Sequence, residues 1–196
     1  MTDNYYDQHA KEFCENTIRI NMSELYQYFI PHLHDGANIL DAGCGSGRDT
    51  LYFLQQNFSV DAFDASEKLV ALAKKHTQHP INHDTFLSFH SLPNNYDGIW
   101  ACASLLHVPF NELYLTFKQL IKYLKEGGVM YCSFKYATDK VETEINQRKF
   151  TNMNEILFQQ VIRCLPLVVD KLWITEDLRV NRMNEKWFNV VLKKVS

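Results

Sequence analysis

The sequence predicts an α/β fold: a mostly parallel sheet with helices on both faces and an antiparallel strand at its C-terminal end. Three observations predict it. Short apolar runs alternate with longer segments of helical period, and that alternation makes βαβ units. The first run, Ala37-Asn38-Ile39-Leu40, ends in an acid and then in three glycines at alternate positions, after which Thr50-Leu51-Tyr52-Phe53-Leu54 opens a helical pattern. The tail carries two strand-like runs, 167–174 and 186–192, separated by a polar turn and close enough to pair as a hairpin.

Residues 5–30 read as helical, because Phe13, Ile18, Ile20, Met22, Leu25, Tyr26 and Phe29 supply apolar faces. Asn21 or Ser23 is placed to cap a second helix, and Pro31 lies at its far end. This segment (1–30) is either a helix packed on the sheet edge or a lid whose tyrosines, Tyr5 and Tyr6, close over a ligand. Strand one covers 37–42 and the next helix 47–56. Residues 58–63 form a second strand that ends at Asp64. Ala65-Ser66-Glu67 starts a helix carrying Leu69, Val70, Leu72 and Ala73 on a helical period as far as Gln78. A weak strand is expected at 80–85, and a buried one at 96–103. Pro109 sits where a first-turn proline belongs, and the helix from there to Lys125 repeats Leu113, Phe117, Leu120, Ile121 and Leu124 at three- and four-residue steps. Glu126-Gly127-Gly128 is expected to stop it, and 129–134 form the next strand. A polar loop is expected over 136–151 and a helix over 153–164.

The 196 residues suit one domain, 1–196, large enough to bury a core without staples. The five cysteines (Cys14, Cys44, Cys102, Cys132 and Cys164) are odd in number and form no CxxC pair. That disfavours structural disulfides and zinc and fits a reducing cytoplasm. The histidines lack metal-ligand spacing: His32 and His34 are two apart, and His76 and His79 fall at a helix end. No metal is expected. A net charge of −3 argues against a duplex-binding surface. No apolar run reaches membrane-spanning length, and the polar start Met1-Thr2-Asp3-Asn4-Tyr5 does not read as a signal peptide. The expectation is a cytoplasmic protein, a monomer or weak homodimer, with no nucleic-acid or membrane partner.

Ligands of open parallel sheets bind beyond the carboxyl ends of the strands. Here the first strand end brings the glycine turn, whose residues without a β-carbon let backbone approach a ligand. The second brings Asp64, where a carboxylate can accept both hydroxyls of a ribose. The fourth brings Ala101-Cys102-Ala103, small residues that leave room. Gly43, Gly45 and Gly47 make G-x-G-x-G, which differs from the G-x-G-x-x-G of dinucleotide sites. Asp41 just before them would repel a pyrophosphate and suit an ammonium group. The loop therefore favours a nucleoside joined to an amino acid.

Residues 39–47, Phe63-Asp64-Ala65-Ser66, Tyr96-Asp97-Gly98-Ile99-Trp100 and Leu124-Lys125-Glu126-Gly127-Gly128 resemble the ordered motifs of class I S-adenosylmethionine-dependent methyltransferases. The resemblance spans residues 20–135, and within the class the chain is similar to the small bacterial tellurite-resistance-type branch. It implies a Rossmann-like seven-strand sheet and S-adenosylmethionine as cofactor. By the family pattern, Gly43, Gly45 and Gly47 line the methionine portion, with Cys44 and Arg48 in the same loop. Asp41 acts on the amino group, directly or through water, and Asp64, with Ala65 beside it, holds the ribose. Thr85-Phe86 flank the adenine, and Ala101-Cys102 sit near the sulfonium. Asp84, Thr85 or Phe86 stands where the family has an acid beside the adenine.

A sulfonium is already an activated methyl donor, so orientation and a dry site supply much of the acceleration. A base is needed only if the acceptor must lose a proton. Tyr5, Tyr6, His107 and Lys135 are the candidates, with Tyr6, His107 and Lys135 foremost. Each has a plainer reading: His107 fixes a loop or caps a helix, and Lys135 is a solvated strand end. Arg48 either meets a carboxylate or an anionic acceptor, or is a surface residue in a first turn that mildly disfavours cations. Cys44 and Cys102 read as small buried fillers. Trp173, Arg179, Trp187 and Glu176-Asp177 read as sheet packing and surface charge, although the loop between the tail strands can reach an acceptor. The expected function is methyl transfer to a small-molecule acceptor by in-line attack, with the acceptor chosen by 1–30, 136–152 and the tail loop. A non-catalytic sensor or partner subunit that binds S-adenosylmethionine or S-adenosylhomocysteine is the alternative, and a nucleotide-dependent oxidoreductase a third.

Overall fold

The computed structural model describes residues 2–177 and 185–196. Helix α1 (Thr2–Thr17) bends at His9, and α2 (Ser23–Tyr26) is a single turn followed by a 3-10 turn at Ile30–His32. The expected long second helix is absent. Its N-cap position is Met22, which has no side-chain acceptor, and Asn21 Oδ1 is spent on the Ser23 N–H two residues on. There follow β1 (Asn38–Ala42), α3 (Arg48–Gln55), β2 (Ser59–Asp64), α4 (Glu67–Thr77), β3 (Asn82–His83) and β4 (Tyr96–Ala101). A 3-10 turn (Leu105–His107) leads to α5 (Phe110–Tyr123), β5 (Leu124–Tyr136), β6 (Glu142–Ile145), β7 (Arg148–Met153), α6 (Glu155–Ile162), β8 (Leu167–Glu176) and β9 (Lys186–Lys194).

Seven strands form the main sheet in the order β3-β2-β1-β4-β5-β9-β8. β9 is antiparallel to both its neighbours, and the other described pairs of this sheet are parallel. Chain order reverses at β1, which lies between β2 and β4. That reversal opens a crevice beyond the carboxyl ends of β1 and β4.

Side chains alternate between faces with period two. Leu40, Ile99, Met130 and Val190 meet Leu113, Phe117 and Leu120 of α5 and Phe158 of α6. Ile39, Trp100, Tyr131 and Val191 meet Phe53 of α3, Leu25 and Tyr26 of α2, and Phe29. Each such buried side chain contributes about 1.5–3 kcal/mol. The helical repeat in α5 and the strand repeats are thus two halves of one contact.

Three expectations are corrected. The strand expected at 80–85 shrinks to Asn82–His83, because Thr85 and Ser88 bond each other and Ser88 bonds Asp84, which turns the chain away. α5 ends at Tyr123 rather than Lys125, since Leu124 already pairs with Tyr96. The glycines after it form a bulge in β5, where the register jumps from Tyr96↔Leu124 to Gly98↔Val129 and Gly127 takes φ +72°. The expected loop at 136–151 is a hairpin. β6 and β7 pair around Asn146-Gln147, whose φ values of +50° and +64° suit a two-residue hairpin turn. β7 then joins the end of β5 at Lys135↔Asn152 and Tyr136↔Met153, so the hairpin stands at the carboxyl edge of the sheet.

Candidate active site

The crevice holds a cavity of about 500 Å³, walled by the ends of β1, β2, β4 and β5, by α1, and by the hairpin. Its first wall is the glycine turn. Gly43 has φ +81°, and a β-carbon there would lie 2.5 Å from Ser104 Cβ. Only glycine lets this turn and the Ser104 loop close on each other. The Gly43 and Cys44 N–H groups both donate to Phe63 O at 2.9 Å, and the Gly45 N–H donates to Asp64 Oδ2 at 2.8 Å. Asp64 Oδ1 accepts the Ser66 N–H at 2.9 Å. The aspartate at the end of β2 therefore organises both its own turn and the glycine turn beside it.

Below the turn lies a buried polar knot. Arg48 Nε and Nη2 donate to the two oxygens of Asp49 at 2.6 and 2.8 Å. Asp49 also accepts Tyr26 Oη at 2.6 Å and Trp100 Nε1 at 2.8 Å. Burial opposes the charge on Asp49, but Arg48 and these donors outweigh it and hold its pKa below the ordinary carboxylate range. Asp41 is pushed the other way, first by burial and then by the charge of Asp49, and it accepts Thr50 Oγ1 at 2.5 Å. Burial, with the charge of Asp49, also pushes the Cys102 thiol up to about 12, so no thiolate forms there at neutral pH.

Helix α1 closes the other side. Asp7 accepts Ser66 Oγ at 2.6 Å and the Lys68 N–H at 3.2 Å. Those bonds, Ser66 first, lower the Asp7 pKa and place an anion at the start of α4, where a helix favours one. Thr17 Oγ1 donates to Ser46 Oγ at 3.2 Å, and the Phe13 ring lies over Gly45. Tyr6 Oη lies 2.8 Å from His107 Nε2, and His107 Nδ1 lies 3.0 Å from Lys149 O. A carbonyl can only accept, so Nδ1 carries the proton and Nε2 takes the Tyr6 O–H. Burial lowers the His107 pKa to about 4; the Lys149 bond opposes that, and the charges of Arg148 and Lys135 add to it. Burial raises Tyr6. Both groups are neutral at neutral pH.

A pH dependence follows. The unfolded imidazole takes its proton near pH 6.5 and the folded one only near 4, so between them the unfolded chain binds more protons. The contribution of neutral His107 is whole above pH 6.5 and is lost as the pH falls toward 4, to a limit of about 3 kcal/mol. Urea unfolding at pH 7.5 and pH 5 should show a larger loss for the native protein than for His107→Gln. Equal losses would refute the assignment.

Most residues expected at the cofactor, from Gly43 to Cys102, line the cavity, as do Tyr6, His107 and Lys135. Asp41, Gly47 and Ala101 do not. Asp41 shares the Ile39 face of β1 and turns to α3. Gly47 is the N-cap of α3 and packs on Ala73 and Thr77, and Ala101 is fully buried on the α5 face. Lys135 is not solvated: its Nζ lies 2.8 Å from Glu185 Oε2 and 4.6 Å from the centre of the Phe150 ring. Asp84 bonds Ser88, and Phe86 packs edge-on against Phe63. Trp187 Nε1 donates to Asp177 at 3.0 Å, whereas Arg179 and the loop around it lie outside the described residues. Among the described residues no group of three His, Cys, Asp or Glu is set to hold a metal, and no helix is long and apolar enough to cross a membrane.

Sequence reading missed Asp49, Ser104 and Arg148. Asp49 next to Arg48 was a visible signal, since a carboxylate in a first turn is favoured. Arg148 gives none, because the polar residues of its hairpin carry no strand alternation.

Known proteins bear on this geometry in three ways. A stretch of 115 residues, 58% of the chain, is 30% identical to the malonyl-[acyl-carrier protein] O-methyltransferase of Pectobacterium atrosepticum, and spans only 44% of that relative. The fold matches Burkholderia thailandensis 1,6-didemethyltoxoflavin-N1-methyltransferase, crystallised with 1,6-didemethyltoxoflavin and S-adenosylhomocysteine, at a TM-score of 0.80 and 17% identity over 99% of this chain and 87% of that one. It also matches magnesium protoporphyrin IX methyltransferase from Synechocystis PCC 6803 with bound S-adenosylhomocysteine, at 0.76 and 14% over 98% and 97%. At these identities the two structural likenesses concern the fold. The family model described as a methyltransferase domain matches residues 9–165, four-fifths of the chain, and the chain belongs to that family.

Proposed function

We propose that the chain transfers a methyl group from S-adenosylmethionine to a small-molecule acceptor. The observation that carries this reading is Asp64, bonded to the glycine turn and lining the cavity. A carboxylate oxygen accepts more than one hydrogen bond, so Asp64 can tie the turn and receive ribose hydroxyls together. The residues present fit the cofactor in two further respects. Asp64 presents a carboxylate at the β2 end of the cavity, while Asp49 is paired with Arg48 and Asp41 is turned away to Thr50, and such a carboxylate suits a cationic ligand. Phe86 and the exposed Leu87 offer an apolar wall for a base.

When bound, S-adenosylmethionine supplies an activated methyl group. The chain's own part is to orient and to exclude water, which the α1 roof does through Tyr6, Phe13 and Thr17. The neutral His107 Nε2, already holding the Tyr6 hydroxyl, provides a route for an acceptor proton through Tyr6. Residues 1–30 act in this reading as a lid, and 136–152 as part of the acceptor wall. By motif the chain sits with the small tellurite-resistance-type branch, as a cytoplasmic monomer or weak homodimer.

Calorimetry tests the donor. S-adenosylhomocysteine should bind in the micromolar range and NADH should not; NADH binding alone would overturn the reading. Mass spectrometry after incubation with S-adenosylmethionine and a panel of thiols, phenols, carboxylic acids and tellurite then reads the transfer itself.

A further inference from the structure

We propose that the acceptor carries a carboxylate, received by Arg148 at the hairpin end of the cavity. This rests on the methyl-transfer reading and names its substrate class. Arg148, the first residue of β7, is only 9% exposed and lines the cavity. Its Nε has no hydrogen-bond partner, and among the described residues no carboxylate forms an ion pair with it. A buried cation without a counter-ion is costly, by several kcal/mol.

What surrounds the guanidinium explains how it is held and what it still lacks. Its Cζ stands 4.5 Å from the centre of the Tyr5 ring and 5.2 Å from that of Phe150. Such contacts return roughly 0.5–2 kcal/mol each, less than the charge demands. The edge carries the five N–H donors: there the Tyr6 hydroxyl lies within reach of the guanidinium, and Nε has no partner. An edge-on fork matches a planar carboxylate with two parallel bonds.

The charge layout separates this end from the donor end. Lys135 is balanced by Glu185, whereas no carboxylate among the described residues is ion-paired to Arg148. The donor end instead presents Asp64 at the tip of β2, while Asp49 is paired with Arg48. The end of β5, which β7 joins, is three strand spacings from β2, about 14 Å. An acceptor with an anionic group is repelled from the first region and drawn to the second. Tyr6 lies between: Arg148 charge acts on its hydroxyl, and that hydroxyl is bonded to His107. A carboxylate on Arg148 therefore sets the acceptor beside the Tyr6–His107 pair.

The test uses the full chain saturated with S-adenosylhomocysteine, titrated by calorimetry with acetate, benzoate and phenylacetate, with their uncharged amides, and with inorganic phosphate. At least one acid should bind tenfold or more tighter than its amide and than phosphate. Arg148→Met should abolish that preference while S-adenosylhomocysteine affinity stays within threefold; Arg148→Lys, which keeps the charge but not the fork, should retain part of it. Equal binding of all three acids and their amides would overturn the proposal. So would a preference for phosphate, or one that survives Arg148→Met. A fall in S-adenosylhomocysteine affinity in both Arg148 variants would assign the residue to the donor and overturn it too. Failure of the native protein to bind S-adenosylhomocysteine would instead overturn the methyl-transfer reading itself.

Discussion

Asp64→Ala is expected to bind S-adenosylhomocysteine about 100-fold more weakly than the native chain. Two ribose hydroxyls on a carboxylate are charge-assisted bonds of about 1.5 kcal/mol or more each, which sum to two decades in affinity. A second loss adds to this. Asp64 Oδ2 holds the Gly45 N–H and Oδ1 the Ser66 N–H, so the variant also loosens the glycine turn. Asp64→Asn keeps one carbonyl oxygen and should fall between the two. Calorimetry on folded protein decides the matter, and unchanged affinity in the alanine variant would remove Asp64 from the cofactor site. Circular dichroism should show both variants folded, because Asp64 is half-buried at a strand tip and outside the apolar core.

Asp49→Leu is expected to lower stability by about 3–5 kcal/mol, which for a chain of this size is a melting point lower by on the order of 10 °C. The carboxylate is 5% exposed and accepts from Arg48, Tyr26 and Trp100. Its removal strands a guanidinium, a phenol and an indole N–H in a region closed by stacked rings, with Trp100 on Tyr131 at 4.0 Å and Tyr26 on Tyr52 at 3.9 Å. The double variant Arg48→Met/Asp49→Leu should recover most of the loss, because a buried pair replaced by apolar groups of similar volume is often neutral. Thermal melts of the two variants check this. If the double variant melts no higher than the single one, packing rather than the stranded charge is responsible.

Several features of this protein were readable along the chain. Glycines at 43, 45 and 47 announced a turn because every one of them takes positive φ. α5 was readable because Leu113, Phe117, Leu120 and Ile121 recur at the helical period and all face one core. Asp64 was readable because a strand that ends in an acid one βαβ unit after such a turn has one place to go. In each case the deciding interaction lies within a few residues or follows from a period.

Other features were not readable. β6 and β7 carry Glu, Thr, Lys and Arg where a strand signal needs alternation, so a hairpin that pairs through its backbone passed for a loop. Asp41 and Ala101 neighbour ligand-facing residues in sequence, yet strand parity turns them to opposite faces of the sheet. The Lys135–Glu185 pair depends on β9 lying beside β5.

The α/β class, the turn built for a ligand at the end of β1 and the acid at the end of β2 are local properties, set by backbone conformation and hydrophobic period along the chain. It took tertiary packing to bring Tyr6 to His107 across 101 residues, to hold Arg48 on its neighbour Asp49, and to bury Arg148 in the cavity wall with no ion-paired carboxylate among the described residues. Those are facts about which side chains share a buried volume. Burial sets the energy of a charge, and no residue carries its burial in its name.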